Sequence, residues 1–459
     1  MAMPARKVWG MTRLSFQSGA ALHFLYRCVP SICAALLFLG FVLLWQNDRA
    51  LYMALLHPYI WTDPTNPPFT DLSAVLLASD CWRQGVDVLQ PNACMGGGMF
   101  NYSPLLLRLG LLGLGQGILL PGGVALSLAA IAACALLPPP LSRRELALRC
   151  LLLCSGAAAH AFECGNIDLA MFILVVSGLG LQRRYFIARL AGYGLFLLGG
   201  TLKFYPAVLL LLLLRESRRR VFCLGAGLAL AAVLLLWHDW QALSGIFSTL
   251  PLGLPFRGSF GAINLPFGVI LLGFMSRPSV LPGGAVFEAA LHHPQLAALV
   301  VISSRFLFLC ALLTGLKLAA RHTMALAALD DGRRVFLAAG AVLLAFCFFT
   351  APNYEYRGLF LLLTVPGLYA MGTPAARLML ALMPLLLWER VLWEVCGSIG
   401  TLLPGGLSAA LGILLWLLRE AAWWFIIIEF TAIAIAYARL ATASLHRYGN
   451  IISAAPVEG

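Results

Sequence analysis

Asp71, Asn166, Lys203 and Arg357 lie far apart along a chain of 459 residues that is 61% hydrophobic and only 11% charged. Ionisable side chains at membrane depth, or at its edge, are costly unless paired or solvated, so each is a candidate for function. Asp71 follows the helix-breaking prolines of "TDPTNPPFT" and opens the apolar stretch "LSAVLLAS". That order places its carboxylate near the start of a short helix along the membrane surface, just above the bilayer. Read from the residues alone, Asp71 with Thr70 is a helix cap, and a carboxylate in an outer loop is a candidate for more.

Asn166 and Asp168 of "GNIDLA" stand at the outer end of one apolar run, and Tyr354, Glu355, Tyr356 and Arg357 of "APNYEYRGLF" at the outer end of another, so they could face one cavity. A guanidinium at that height holds a phosphate in bidentate fashion, or snorkels beside Glu355 with the tyrosines as interfacial anchors. Lys203 has no carboxylate nearby in sequence; it binds a phosphate or reaches the cytoplasm. Asp87 reads as a turn residue in "GVDVLQPN" and Asp80 as a solvated surface group. Cys81 and Cys94 form a disulfide if their segment is extracytoplasmic, and otherwise stay free. The other ten cysteines lack metal-ligand spacing. His238, Asp239, His292 and His293 read as loop residues. The chain has no phosphate-binding P-loop, no GxSxG and no dinucleotide fingerprint, and no cofactor is expected.

The elements that must position these residues are membrane helices. A mean hydropathy of +0.89 and repeated apolar runs of bilayer length predict an all-α polytopic membrane protein. The net charge of +12 sits in short clusters between those runs, which marks orientation and not nucleic-acid binding. Arg6, Lys7, Arg13 and Arg27 precede a first helix that reads as retained rather than cleaved. Basic clusters at Arg143, Arg144 and Arg149, at Arg183, Arg184 and Arg189, and around "ALDDGRR" are expected inside, and both termini cytoplasmic.

The resulting scheme is one integral-membrane domain over 1–459, with about 10–13 transmembrane or re-entrant helices. Ten full spans are expected near 29–46, 122–138, between Arg149 and Glu163, between Asp168 and Leu181, and near 221–237, 298–318, 335–350, 358–372, 376–392 and 420–437. A first extracytoplasmic loop covers 47–104 and carries amphipathic helices. A V-shaped re-entrant hairpin covers 190–215, with Lys203 near its apex, and a second extracytoplasmic segment covers 238–297. No internal repeat is visible, which disfavours repeat-built transporters.

In this order, "TDLSAVLLASDCWRQGVDVLQPN", "FNYSPLLLRL", "GNIDLAMFILV", "LKFYPAVLLLLLLRESRRR" and "APNYEYRGLFLLLTVP" resemble the C-type membrane-fold (GT-C) glycosyltransferases of the glycosyltransferase 87 family. The resemblance implies transfer of a hexose, with mannose the first expectation, from a polyprenyl-phosphate donor to a lipid or glycan acceptor on the extracytoplasmic face of a bacterial-type inner membrane. It makes Asp71 the catalytic base of an inverting reaction. The substrate-binding candidates are Asn101, Tyr102, Asn166, Lys203, Tyr205, Arg257, Asn264, Tyr354 and Arg357, with no metal ligand among them. The partners expected are the donor, the acceptor and membrane lipids. A transporter or flippase of an envelope lipid or glycan is the competing expectation, and a non-enzymatic scaffold the third.

Overall fold

Prolines 67 and 68 stop the chain from entering the helix Thr70–Arg83 (α3) early, and the turn that starts this helix is made by Phe69 in a left-handed conformation (φ 68°, ψ 35°). That conformation costs about 1–2 kcal/mol for a residue with a Cβ. Burying the Phe69 ring returns about 1.5–3 kcal/mol. The ring sits against Gly123, where a Cβ would lie 2.4 Å from it, and the Phe69 N–H donates to the Glu163 carbonyl at 2.6 Å. Sequence thereby fixes where Asp71, in the first turn of the helix, stands relative to the bundle.

The structure, a computed structural model, describes residues 20–60, 67–237, 255–274, 293–350, 353–403 and 405–453. Most of the predicted second extracytoplasmic segment, with His238, Asp239 and His292, lies outside the described residues, as do Arg6, Lys7 and Arg13. The helices are α1 (Ala20–Asn47), α2 (Arg49–Leu56), α3 (Thr70–Arg83), α4 (Leu119–Ala133), α5 (Arg143–Leu153), α6 (Gly156–Cys164), α7 (Ile167–Leu181), α8 (Phe186–Leu202), α9 (Arg218–Trp237), α10 (Asn264–Phe274), α11 (Pro294–Ala327), α12 (Asp331–Thr350), α13 (Val365–Met371), α14 (Pro374–Leu387), α15 (Glu389–Gly400) and α16 (Gly405–Ser453). Long 3-10 helices cover Pro104–Leu112, Tyr205–Arg215 and Glu355–Leu363. A two-residue β1 (Ser259–Phe260) pairs antiparallel with β2 (Asn353–Tyr354), Ser259 opposite Tyr354 and Phe260 opposite Asn353.

This is an all-α membrane-embedded chain. Among the described residues six helices are long and apolar enough to cross a bilayer: Tyr26–Asn47, Gln116–Leu136, Arg218–Trp237, Pro294–Ala327, Asp331–Thr350 and Leu407–Ala443. A seventh appears if α5 and α6, bent by 47° at Cys154 and Ser155, count as one. The expected spans near 358–372 and 376–392 are not single helices. The first is a 3-10 helix followed by α13, and the second ends at Leu387 before a new helix starts at Glu389. Much of this region is buried in protein, where a helix need not match the full lipid thickness.

The hairpin is longer than the sequence suggests. α8 covers about 25 Å at 1.5 Å per residue, and Tyr205–Arg215 covers about 22 Å because a 3-10 helix rises about 2.0 Å per residue. Gly200 allows the two legs to touch, since a Cβ there would lie 2.7 Å from the Ala207 Cβ. At the open end Arg189 donates to both Glu216 carboxylate oxygens, at 2.7 and 3.0 Å. Lys203 follows the last turn of α8, at the opposite end of the hairpin.

Around Asp71 the chain builds a small unit of its own. Val75, Ala78, Cys81, Val88, Phe100, Leu106 and Leu107 pack with Ile167 of α7, and Cys81 is disulfide-bonded to Cys94. Asp80 is not a solvated surface group: its Oδ2 accepts the Gln116 N–H at 2.8 Å, tying α3 to the start of the next span. Gln116 in turn donates to the Ser73 carbonyl at 2.6 Å. Asp87 is the turn residue expected, its Oδ1 accepting the Leu89 N–H at 3.0 Å.

Candidate active site

Asn166 is the residue around which the polar groups gather. As the N-cap of α7 its Oδ1 accepts the Asp168 N–H at 2.8 Å, the usual reason for an asparagine at a helix start. Its amide nitrogen points the other way, donating to Asp71 Oδ2 and, at 2.9 Å, to the Tyr356 hydroxyl. Asn166 is fully buried whereas Asp71 is only half-buried. The carboxylate is therefore oriented from beneath by a neutral amide and keeps an accessible side.

Two residues further on, Asp168 binds both cations of the cluster. Its Oδ1 accepts from Lys203 Nζ at 2.6 Å and from the Tyr205 hydroxyl at 2.7 Å, and its Oδ2 accepts from Arg357 Nε at 3.0 Å. Lys203 also reaches Asn166 Oδ1 at 3.4 Å. Aromatic faces support both charges, with Lys203 Nζ 5.3 Å from the Tyr102 ring centre and the Arg357 guanidinium 5.2 Å from that of Tyr205. Asp168, Lys203 and Arg357 together carry one net positive charge. It lies one residue pair away from the Asp71 carboxylate, through Asn166.

β2 and its continuation set Arg357. Asn353 is buried, held by its pairing with Phe260 and by its side-chain N–H donating to the Cys347 carbonyl at 2.7 Å, and its Oδ1 accepts from Arg357 Nη1. Glu355 bonds His160 Nδ1 at 2.6 Å, and the His160 ring meets Tyr356 edge-on at 5.6 Å. Tyr356 stacks on Tyr354, which is 40% exposed. Tyr102 lies in the loop ahead of Pro104–Leu112. Its phenol is pushed well above its usual range by burial first and then by Asp71 and Asp168, so it stays a neutral donor.

Of the residues singled out from sequence, the structure brings together Asp71, Tyr102, Asn166, Lys203, Tyr205 and Arg357, with Tyr354 at the edge through Tyr356. Asn101 is half-buried beside Tyr102. Asn264 serves elsewhere: it is buried and donates to Ser259 Oγ at 3.2 Å, bracing β1. Arg257 is exposed on the approach to β1, where its charge bears on Arg390. Lys203 neither snorkels to the basic end nor lacks a carboxylate, since Asp168, distant in sequence, supplies one. Compared with known proteins, the chain matches no family model, no curated protein and no solved structure.

Asp168 and Tyr356 were noted in the sequence but not selected, and His160 and Asn353 were missed. A signal for Asp168 existed: a lysine at the apex of an apolar hairpin needs an anion, and Asp168 heads the helix just before that hairpin in sequence. Nothing comparable marks Asn353 or His160, whose roles depend on the strand pairing and the α6 packing. Among the described residues no three His, Cys, Asp or Glu side chains are grouped as a metal site.

Proposed function

We propose that the chain is a membrane glycosyltransferase that moves a hexose from a polyprenyl-phosphate donor to a hydroxyl of a lipid or glycan acceptor, with Asp71 as base. The observation that carries this reading is the charge order at Asn166: a half-exposed carboxylate on one side and a net-positive Lys203–Asp168–Arg357 group on the other. In the reaction the acceptor oxygen bonds to the anomeric carbon while its proton passes to Asp71. The bond from that carbon to the phosphate oxygen breaks, and the electron pair leaves on polyprenyl phosphate, beside the two cations. Attack opposite the leaving group inverts the anomeric centre.

Two further observations support a lipid-linked donor on the extracytoplasmic side. A cavity of about 720 Å³ opens between α11, α12 and α16, lined by Val301, Phe308, Phe346, Phe349 and Ile435 among others. Phe346 in its wall meets Phe204, the residue between Lys203 and Tyr205, edge-on at 6.1 Å. The Cys81–Cys94 disulfide suits an oxidising compartment.

The test is transfer by purified protein from labelled polyprenyl-phosphate mannose to a membrane-lipid extract. Transfer by the natural chain and its loss in a folded Asp71→Asn variant supports the reading; undiminished transfer in that variant removes Asp71 from it. Transport or flipping is the second reading, favoured by the break in the hairpin at Lys203. It predicts movement of the intact lipid across vesicles with no sugar transferred.

A further inference from the structure

α11 carries an arginine that its own sequence does nothing to balance. Pro294–Ala327 contains Arg305, Lys317 and Arg321 and no Asp or Glu, and among the described residues Arg305 makes no hydrogen bond or ion pair. It is exposed, and it is the one charged side chain among those lining the cavity of about 720 Å³ between α11, α12 and α16. Ser304, beside it in the same wall, has a hydroxyl without a hydrogen-bond partner. The rest of the wall is apolar apart from Thr350 and Thr431, whose hydroxyls donate to carbonyls of their own helices at 2.7 and 2.8 Å.

The two helices fix the depth of this cation. Counted from the turn 328–330 that joins them, Arg305 lies about 33 Å along α11 and Thr350 about 29 Å along α12, at 1.5 Å per residue. Phe308, one turn from Arg305, meets Phe349 edge-on at 4.8 Å, so the two stand at one level. The hydrocarbon core of a bilayer is about 30 Å thick. With the charged turn Asp330–Arg334 at the opposite surface, Arg305 stands where headgroups meet hydrocarbon, at the end of the bundle from which Thr350 leads to β2 and Arg357. Val342, buried in the same cavity, lies about 12 Å deeper along α12 than Thr350. The cavity therefore has a cation at headgroup level and apolar walls reaching toward the midplane. Arg321, at the other end of α11, is exposed and lies outside the cavity wall, so snorkelling alone accounts for it.

We propose that this cavity is a binding site for an acidic phospholipid, its phosphate on Arg305 and an acyl chain between α11, α12 and α16. Two phosphate oxygens match the guanidinium fork. A net negative headgroup balances the unpaired cation, whereas a zwitterionic one brings a cation of its own. Lys203 and Arg357 are already bonded to Asp168 and take no part. The inference stands apart from the transfer reaction: it needs no donor, and its occupant would compete with a donor chain for the same apolar volume.

The experiment is native mass spectrometry of the purified full chain, titrated separately with phosphatidylglycerol, phosphatidylcholine and polyprenyl phosphate. One phosphatidylglycerol is expected to bind at least about 10-fold more tightly than phosphatidylcholine, the gain from one or two charge-assisted hydrogen bonds. Arg305→Gln loses that preference, whereas Arg321→Gln, which removes the same charge from the other end of α11, retains it. Ala434→Phe fills the cavity from α16 and weakens binding of both phospholipids with Arg305 intact. Because Arg305 has no partner to lose, the unfolding midpoint of Arg305→Gln without lipid matches that of the natural chain, which shows that it folds. A preference that survives Arg305→Gln or falls as far in Arg321→Gln, or binding untouched by Ala434→Phe, overturns the site. Binding of polyprenyl phosphate that depends on Arg305, without a preference between the two phospholipids, gives the cavity to the donor and overturns the phospholipid as its occupant. None of these measurements reads transfer, so their failure and that of the transfer reading are separate results.

Discussion

Replacing Asp168 by asparagine removes the one negative charge shared by two buried cations. In the natural chain Asp168 is 3% exposed and accepts three hydrogen bonds, two of them from Lys203 and Arg357. Asparagine keeps one acceptor but turns an NH2 group toward donors, leaving two positive charges facing each other in a poorly solvated site. Removing one partner of a buried ion pair costs about 3–5 kcal/mol, a large share of the 5–15 kcal/mol typical of a folded domain. For a chain this long that is about 3–5 °C in unfolding midpoint, taking the usual unfolding entropy per residue. Thermal unfolding in detergent, followed by tryptophan fluorescence, measures it. The companion variant Asp168→Asn/Lys203→Met restores the original net charge and is expected to recover about 2 kcal/mol, a coupling typical of directly bonded residues. A loss below about 1 kcal/mol for Asp168→Asn, or a double variant no more stable than the single one, would refute the view that Asp168 holds the two cations in place.

Three more outcomes follow from the same geometry. Asn166→Ala removes the amide that orients Asp71 without removing the carboxylate, so transfer falls by about 10²-fold in kcat while Asp71→Asn abolishes it; equal, small effects of both would contradict the roles assigned. Cys81→Ser/Cys94→Ser opens a short covalent loop and is expected to lose about 2–4 kcal/mol, read as a lower unfolding midpoint. In intact cells a membrane-impermeant maleimide should label these two cysteines only after reduction, and labelling without reduction would remove the disulfide. Gly123→Ala places a methyl group inside the Phe69 ring, so it destabilises by about 1–3 kcal/mol and disturbs transfer through the start of α3; a Phe69→Leu background should soften the effect.

The broad architecture was legible because bilayer spans announce themselves by length: α1, α9, α11, α12 and α16 coincide with apolar runs visible in the sequence. Asp71, Asn166, Lys203 and Arg357 were legible for a related reason, each being a polar group where polarity is expensive. The failures have specific physical causes. The 3-10 form of the Tyr205–Arg215 leg was not legible, because nothing in a leucine run announces a 3-10 helix. Asp80 looked solvated because its partner, the Gln116 backbone, lies across a loop. Asn264 and Asn353 have the same side chain near the ends of two paired strands. One braces Ser259 and the other holds Arg357, a difference set by register and invisible to composition.

The cluster is assembled where several helices begin. α3 starts at Thr70 beside Asp71, α7 starts after Asn166, and the 3-10 helices Tyr205–Arg215 and Glu355–Leu363 start at or just before Tyr205 and Arg357. Helix starts expose backbone N–H groups and the positive end of the peptide dipoles, so this end of the bundle favours anions even before its side chains are counted. Asp71 and Asp168 sit in the first turns of their helices, where an acid complements the dipole, while Arg357, in the first turn of Glu355–Leu363, adds charge of the same sign as the dipole and Lys203 caps the C-terminal end of α8. A surface built only for stability would place acids at these starts and keep basic groups away. Bringing Arg357 there, with Lys203 at the end of α8 and the single carboxylate of Asp168 between the two, leaves one excess positive charge beside Asp71, the arrangement that the proposed transfer would use when a phosphate leaves next to a base.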